Sequence, residues 1–166
     1  MPFTVGVYAC AGILTQLVVI IEEFRMKEKE RVLFLCTGNT ARSQMAEAFL
    51  RHYAGERFEV HSAGLEPGVI RPLTLQVMEE AGKSMKGAYA KGVEVYLGKL
   101  HFNYLITVCD NAEKNCPAVW PGVNTRLHWS FEDPAAYVGS YEERLQKFRE
   151  VRDQIERKVL EWINEV

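Results

Sequence analysis

Cys36 opens the run Cys36-Thr37-Gly38-Asn39-Thr40-Ala41-Arg42-Ser43, in which a thiol and an arginine are separated by five residues that include a glycine. A loop of this kind can turn successive backbone N–H groups inward at a helix start and so cradle a tetrahedral oxyanion. Arg42 adds a two-pronged donor to the same oxyanion. Thr37, Gly38, Asn39, Thr40, Ala41 and Arg42 are therefore the candidate oxyanion-binding residues, with Gly38 expected to let the backbone curl. The same field favours the thiolate of Cys36, the form that attacks, and Ser43 offers that sulfur a hydroxyl. The competing reading of Cys36, a buried structural cysteine, has no need of the glycine loop or the helix start.

Cys109 and Cys116 lie seven residues apart in Val108-Cys109-Asp110-Asn111-Ala112-Glu113-Lys114-Asn115-Cys116-Pro117. If residues 110–115 form a helical turn or two, with Asp110 and Glu113 spaced as a capping box, the two cysteines stand about 10 Å apart along the axis. A disulfide needs Cα atoms within roughly 7 Å. Joining them requires the segment to unwind, which predicts a redox switch with local refolding; the alternative is a pair of buried apolar cysteines. No C-x-x-C pair occurs, and His52, His61, His101 and His128 do not cluster with the cysteines, so zinc is not expected. The four histidines read as packing or surface residues, and Trp120 and Trp129 as core or loop anchors.

The elements that would position these groups alternate. Val32-Leu33-Phe34-Leu35 reads as a strand buried on both faces, running directly into Cys36. A helical pattern follows from Ala41 to Tyr53, with Gly55 as its stop. Phe58–His61 reads as a second strand ended by Ala63-Gly64 and the Pro67-Gly68 turn, and a helix from Pro72 stops at Gly82. Tyr104–Val108 is a third buried strand running into Cys109, and a short fourth spans Thr125–His128. The last helix, from Ser140 to Asn164, carries Leu145, Phe148, Ile155, Val159 and Trp162 on one face. This order predicts an α/β fold, a parallel sheet with helices on both faces. Ligands then bind beyond the carboxyl ends of the strands, where Cys36 and Cys109 both fall.

Composition bounds the function. The chain has 166 residues, 48% hydrophobic and 25% charged, enough for one ordinary core. A formal net charge of −2 lacks the basic excess of a dedicated nucleic-acid binder. Four unevenly spaced cysteines do not make a secreted disulfide framework. From Met1 to Ile21 no charged residue occurs, and the acidic pair Glu22 and Glu23 follows. A signal would carry positive charge before such a run, and Thr15 and Gln16 interrupt it. Residues 1–30 are read as an extension, apolar at its start, and 31–166 as the domain. An over-extended gene start with Met26 as the true beginning, a membrane anchor and an extra packed element all remain open for it. Cys10 lies there and is read as a bystander.

The loop Cys36–Ser43, followed by Gln44-Met45-Ala46-Glu47-Ala48, resembles the phosphate loop of the low-molecular-weight protein tyrosine phosphatases and of the arsenate reductases that share their fold. The resemblance covers Arg31 to the C-terminus and implies a three-layer architecture, a four-stranded parallel sheet flanked by helices. Ile106–Pro117, with His128-Trp129-Ser130-Phe131 and Asp133-Pro134, is similar to the thioredoxin-coupled, three-cysteine arsenate reductases. That resemblance implies Cys36 as nucleophile on arsenic, Asp133 as general acid, Cys109 and Cys116 as the resolving thiols, and thioredoxin as reductant. Asp133 before Pro134 also reads as a turn starter. Asn39, Glu47 and Ser62 match positions that bind a potassium ion in some relatives, with Gly92 and Glu94 nearest the place of the remaining carboxylate ligand. No cofactor is required. Ala41 stands where many relatives carry a second loop cysteine, outside the relay. The expected protein is a cytoplasmic monomer acting on arsenate, with phosphate as competitor. The alternatives are a phosphatase working through a phosphocysteine on Cys36, and an oxyanion-binding or redox-responsive regulator that never turns over.

Overall fold

Val32, Leu33, Phe34 and Leu35 are fully buried, as a strand covered on both faces requires. In the computed structural model, which describes residues 28–116 and 120–166, they form the middle of β1 (Glu30–Cys36). The apolar run, Cys10 and the rest of residues 1–27 lie outside the described residues, as do 117–119. After β1 come α1 (Arg42–Ala54), β2 (Phe58–Gly64), α2 (Pro72–Glu80), β3 (Phe102–Thr107), α3 (Asp110–Asn115), β4 (Val123–His128) and α4 (Tyr141–Glu165). Short 3-10 turns at Val93–Val95 and Pro134–Ala136 complete the described elements.

The sheet is four-stranded, in the order β2-β1-β3-β4, and every pairing is parallel. Because the β1-to-β2 and β3-to-β4 connections run in opposite directions across the sheet, right-handed connections place α1 and α3 on opposite faces, giving the expected helix-flanked sheet. The order reverses between β1 and β3, so the crevice beyond their carboxyl ends is the natural ligand position. Register brings Cys36 opposite Gly64 and Leu35 opposite Thr107, which sets Cys109 one step beyond the same edge.

One side of the sheet is an aromatic layer. Phe34 meets Trp129 at 5.7 Å between centroids, and Trp162 of α4 meets Phe58 at 5.3 Å and Tyr104 at 5.0 Å. All five anticipated residues of α4 are buried, and Ser140 caps it in a capping box with Glu143. Arg149 ties α4 to α2 through Glu80 at 2.7 Å. Trp120 and Trp129 are buried anchors, as expected.

Two of the expected boundaries need correction, and a third holds. β2 continues three residues past His61 to Gly64, because parallel pairing with β1 holds Ser62, Ala63 and Gly64 in the ladder. Gly82 ends α2 as expected: it is left-handed (φ 67°) just after the Ala81 cap, its N–H donating to Glu79 O and that of Lys83 to Met78 O, both at 2.9 Å. Asp110 and Glu113 do not form a capping box. Cys109 is the residue that caps α3, its sulfur accepting from Ala112 N–H at 3.4 Å.

Candidate active site

The loop between β1 and α1 is shaped by its carbonyls. Those of Cys36, Thr37, Gly38 and Thr40 accept from the N–H groups of Leu65 (3.1 Å), Glu66 (2.8 Å), Gly68 (2.9 Å) and Arg71 (3.2 Å), and Thr74 Oγ1 donates to Thr40 O at 3.1 Å. With its acceptors drawn outward, the loop leaves its N–H groups for the inside. That of Asn39 already points at Cys36 Sγ, 3.0 Å away, and Ser43 Oγ lies 2.9 Å from the same sulfur. Cys36 itself is only 2% exposed. Ala41 precedes α1 without a side-chain cap, which leaves the first helical N–H groups open to an anion.

The curl is not made by Gly38. Asn39 takes the left-handed conformation (φ 52°), which asparagine adopts more readily than other side-chain-bearing residues. Its side chain, fully buried, donates from Nδ2 to Ser43 Oγ and Ser62 Oγ, both at 2.9 Å, and accepts at Oδ1 from Gln44 Nε2 (2.9 Å) and Lys91 N–H (2.8 Å). The glycine the loop cannot spare is Gly64, since a Cβ there would lie 2.8 Å from the backbone of Thr37, Gly38 and Asn39. In the sequence Gly64 marked only a strand end; the signal missed was its register opposite Cys36.

Arg42 is 9% exposed and reaches across the loop mouth. Its Nη1 donates to Phe131 O at 3.1 Å and its Nη2 lies 3.3 Å from Asp133 Oδ2, while Nε is buried without a partner. Asp133 also accepts Ala135 N–H at 3.0 Å, capping the 3-10 turn. The turn-starter reading of Asp133 holds. Its turn fixes the backbone and its second oxygen faces the guanidinium.

Cys109 lies beside this loop. Thr37 Oγ1 is 3.6 Å from Cys109 Sγ and accepts from Asn111 Nδ2 at 2.9 Å, so α3 is fastened to the residue that follows Cys36. Cys116 caps the other end of α3, its N–H donating to Ala112 O at 2.8 Å. Cys36, Cys109 and Cys116 are all free thiols and all buried, and burial pushes the Cys116 thiol up from its ordinary value. Two carboxylates moor α3 to the sheet edge. Asp110 Oδ1 accepts from Ser130 Oγ (2.6 Å) and pairs with His128 Nε2 (3.1 Å). Glu113 Oε2 accepts from Thr107 Oγ1 (2.6 Å) and pairs with Arg126 Nη2 (3.1 Å). Both carboxyls are held below their usual range, Asp110 by the Ser130 hydroxyl first and Glu113 by the Thr107 hydroxyl first. His128, expected to be a packing or surface residue, is exposed and joins this mooring, its Nδ1 lying 2.8 Å from Thr107 Oγ1.

Asn39, Glu47 and Ser62, matched to a cation site, do lie together, behind the loop. Ser62 donates to Glu47 Oε2, and Arg51 pairs with Glu47 Oε1. Lys91 Nζ stands 3.7 Å from Glu47 Oε2. Among the described residues, no three His, Cys, Asp or Glu side chains group as metal ligands, and no helix is long and apolar enough to cross a membrane.

Comparison with known proteins adds sequence and fold relatives. The family described as low molecular weight phosphotyrosine protein phosphatase matches residues 31–166. An arsenate reductase of Shouchella clausii is 39% identical over 127 residues, covering 76% of this chain and 90% of its own length. Among solved structures, an arsenate reductase in the phosphate binding state superposes with a TM-score of 0.70 at 29% identity, over 82% of this chain and 98% of that one. A thioredoxin-dependent arsenate reductase of Corynebacterium glutamicum gives 0.55 at 28% identity, over 90% of this chain and 71% of that one.

Proposed function

Because the chain belongs to the low molecular weight phosphotyrosine protein phosphatase family, we propose that its cysteine loop reduces arsenate to arsenite and passes the oxidation along Cys36, Cys109 and Cys116 to thioredoxin. The enzyme is an arsenate reductase, the activity named for its relatives that cover most of the chain. The observation that carries the relay is the second thiol at the loop. Cys109 Sγ lies 3.6 Å from Thr37 Oγ1, a contact that phosphate ester hydrolysis by Cys36, Arg42 and Asp133 would not use.

Arsenate enters the loop, where the inward N–H groups and Arg42 bind its oxygens; the buried Nε of Arg42 gains the partner it lacks. Phosphate competes because it presents the same tetrahedral oxygens. Cys36 thiolate attacks arsenic, and Asp133 donates a proton so that one oxygen leaves as water. Cys109 thiolate then attacks Cys36 Sγ. The sulfur–arsenic bond breaks with its electron pair on arsenic, which departs as arsenite, and a Cys36–Cys109 disulfide forms. Cys116 thiolate attacks Cys109 Sγ, Cys36 leaves as thiolate, and the oxidation rests on Cys109–Cys116. A thioredoxin dithiol returns the two electrons and restores both thiols. The last exchange needs α3 to unwind, because six helical residues hold its two capping cysteines about 10 Å apart. Unwinding also releases Cys116 from the burial that disfavours its thiolate.

Thioredoxin-coupled NADPH consumption with arsenate tests the relay, run side by side for the unmodified chain, Cys109→Ser and Cys116→Ser. Both substitutions are expected to lower multiple turnover by at least about a hundredfold, while hydrolysis of a phenyl phosphate ester survives Cys109→Ser. Arsenate turnover that persists in either variant would overturn the relay. No arsenate turnover in the unmodified chain, with ester hydrolysis intact, would make the protein a phosphatase.

A further inference from the structure

Behind the cysteine loop, the groups that match a cation site are already satisfied. Asn39 Oδ1 has two donors, Gln44 Nε2 and Lys91 N–H. Ser62 Oγ accepts from Asn39 Nδ2 and donates to Glu47, and the two Glu47 oxygens face Ser62, Arg51 and Lys91. At Gly92, nearest the place of the remaining carboxylate ligand, there is no side chain, and a Cβ there would run into the carboxylate of exposed Glu94. The positive charge beside Glu47 comes instead from the neighbouring residue. The Lys91 side chain is 8% exposed, its Nζ donates to Tyr89 O at 3.1 Å and lies 4.7 Å from the Tyr89 ring centroid, and the Glu47 side chain is 9% exposed.

A carboxylate buried to this degree needs a compensating cation. Arg51 supplies part of it from a side chain that is 60% exposed, and Lys91 supplies the part that is enclosed. A potassium ion at this place would bring a further positive charge against the lysine ammonium and would find its oxygen ligands already engaged. The trio therefore does not fit a bound cation.

We propose that the Lys91 ammonium stands in permanently for a monovalent cation, making Lys91 a positioning residue for the cysteine loop. The path runs from Lys91 to Glu47, from Glu47 to Ser62, and from Ser62 to Asn39, whose Nδ2 also holds Ser43 Oγ at 2.9 Å, itself 2.9 Å from Cys36 Sγ. Lys91 grips the loop a second time through its own backbone, its N–H bonded to Asn39 Oδ1 and its carbonyl accepting Gly64 N–H at 2.8 Å. Only the side chain carries the cation role, so its truncation leaves the backbone bonds in place. The inference concerns the loop and does not depend on arsenate being the substrate.

The test compares potassium chloride with N-methylglucamine chloride at equal ionic strength, the latter a cation too large to enter. The readouts are the melting temperature of the full chain and its affinity for inorganic phosphate by calorimetry. The unmodified protein is expected to behave alike in both salts. Lys91→Ala is expected to bind phosphate about tenfold more weakly in N-methylglucamine, in line with the cost of a misplaced reacting group, and potassium should recover most of the loss in affinity and melting temperature. Lys91→Arg, which keeps the charge, should stay within about threefold of the unmodified protein in either salt. A rise in melting temperature or phosphate affinity of the unmodified protein with potassium would overturn the proposal. So would a Lys91→Ala chain that is unaffected, or one that is impaired and indifferent to potassium, the behaviour of a merely structural residue. If Lys91→Ala folds only in potassium the proposal stands, and if it folds in neither salt Lys91→Gln takes its place under the same criteria.

Discussion

Asp133 shows how one side chain carries two demands. Its Oδ1 caps the turn at Pro134 and its Oδ2 faces Arg42 Nη2 at 3.3 Å. Asparagine caps as well as aspartate, so Asp133→Asn keeps the turn and removes only the proton and the charge. The expected outcome is a fall in arsenate kcat of about a hundredfold or more, the usual worth of a positioned general acid. The phosphate inhibition constant should hold or tighten, because Arg42 loses a competing carboxylate. Turnover within a few-fold of the unmodified enzyme would remove Asp133 from the chemistry. Of the loop residues, Cys36, Arg42 and Ser43 were legible in the sequence because their chemistry is in their side chains. Asn39 as the left-handed residue and Gly64 as the obligatory glycine were not, because each is defined by a backbone approach between segments distant in the chain.

At the scale of elements, the proposed relay asks α3 to move, and the moorings of α3 set the conditions under which it can. Asp110 and Glu113 are both held below the ordinary carboxylate range by partners present only when α3 is docked. A carboxyl lowered in the folded state contributes stability above its unfolded pKa and loses it as pH falls through the lowered value. Docking of α3 is therefore expected to weaken below about pH 4. Amide-exchange protection at Glu113 and Cys116, whose N–H groups bond to Cys109 O (3.1 Å) and Ala112 O (2.8 Å), should drop there while β1 stays protected. Equal losses in both would mean global unfolding and no local release. The helix itself was anticipated between the two cysteines. Its cap was not, because a cysteine sulfur accepting an N–H has no sequence signature comparable to a Ser-x-x-Glu box, whereas Ser140 and Glu143 of α4 display theirs openly.

For the whole molecule, the site stands at one edge of a sheet whose stability is supplied elsewhere. Trp162 of α4 packs on Phe58, Tyr104 and Trp129, and is 3% exposed. Trp162→Ala is expected to cost about 3–5 kcal/mol and to lower the melting temperature by about 10 °C, with arsenate kcat at 25 °C little changed; thermal unfolding and initial rates check both parts. The amino-acid order alone determined the four strands, the parallel sheet and the placement of two cysteines at its working edge. Those follow from side-chain periodicity and from the one hand that βαβ connections take, both local properties of the chain. Only the tertiary structure decided that Gly64 lies against the cysteine loop, that Thr37 reaches Cys109, and that Lys91 faces Glu47. Each of these joins segments 25 or more residues apart whose meeting depends on strand register and on how one enclosed charge is balanced, which no local pattern encodes.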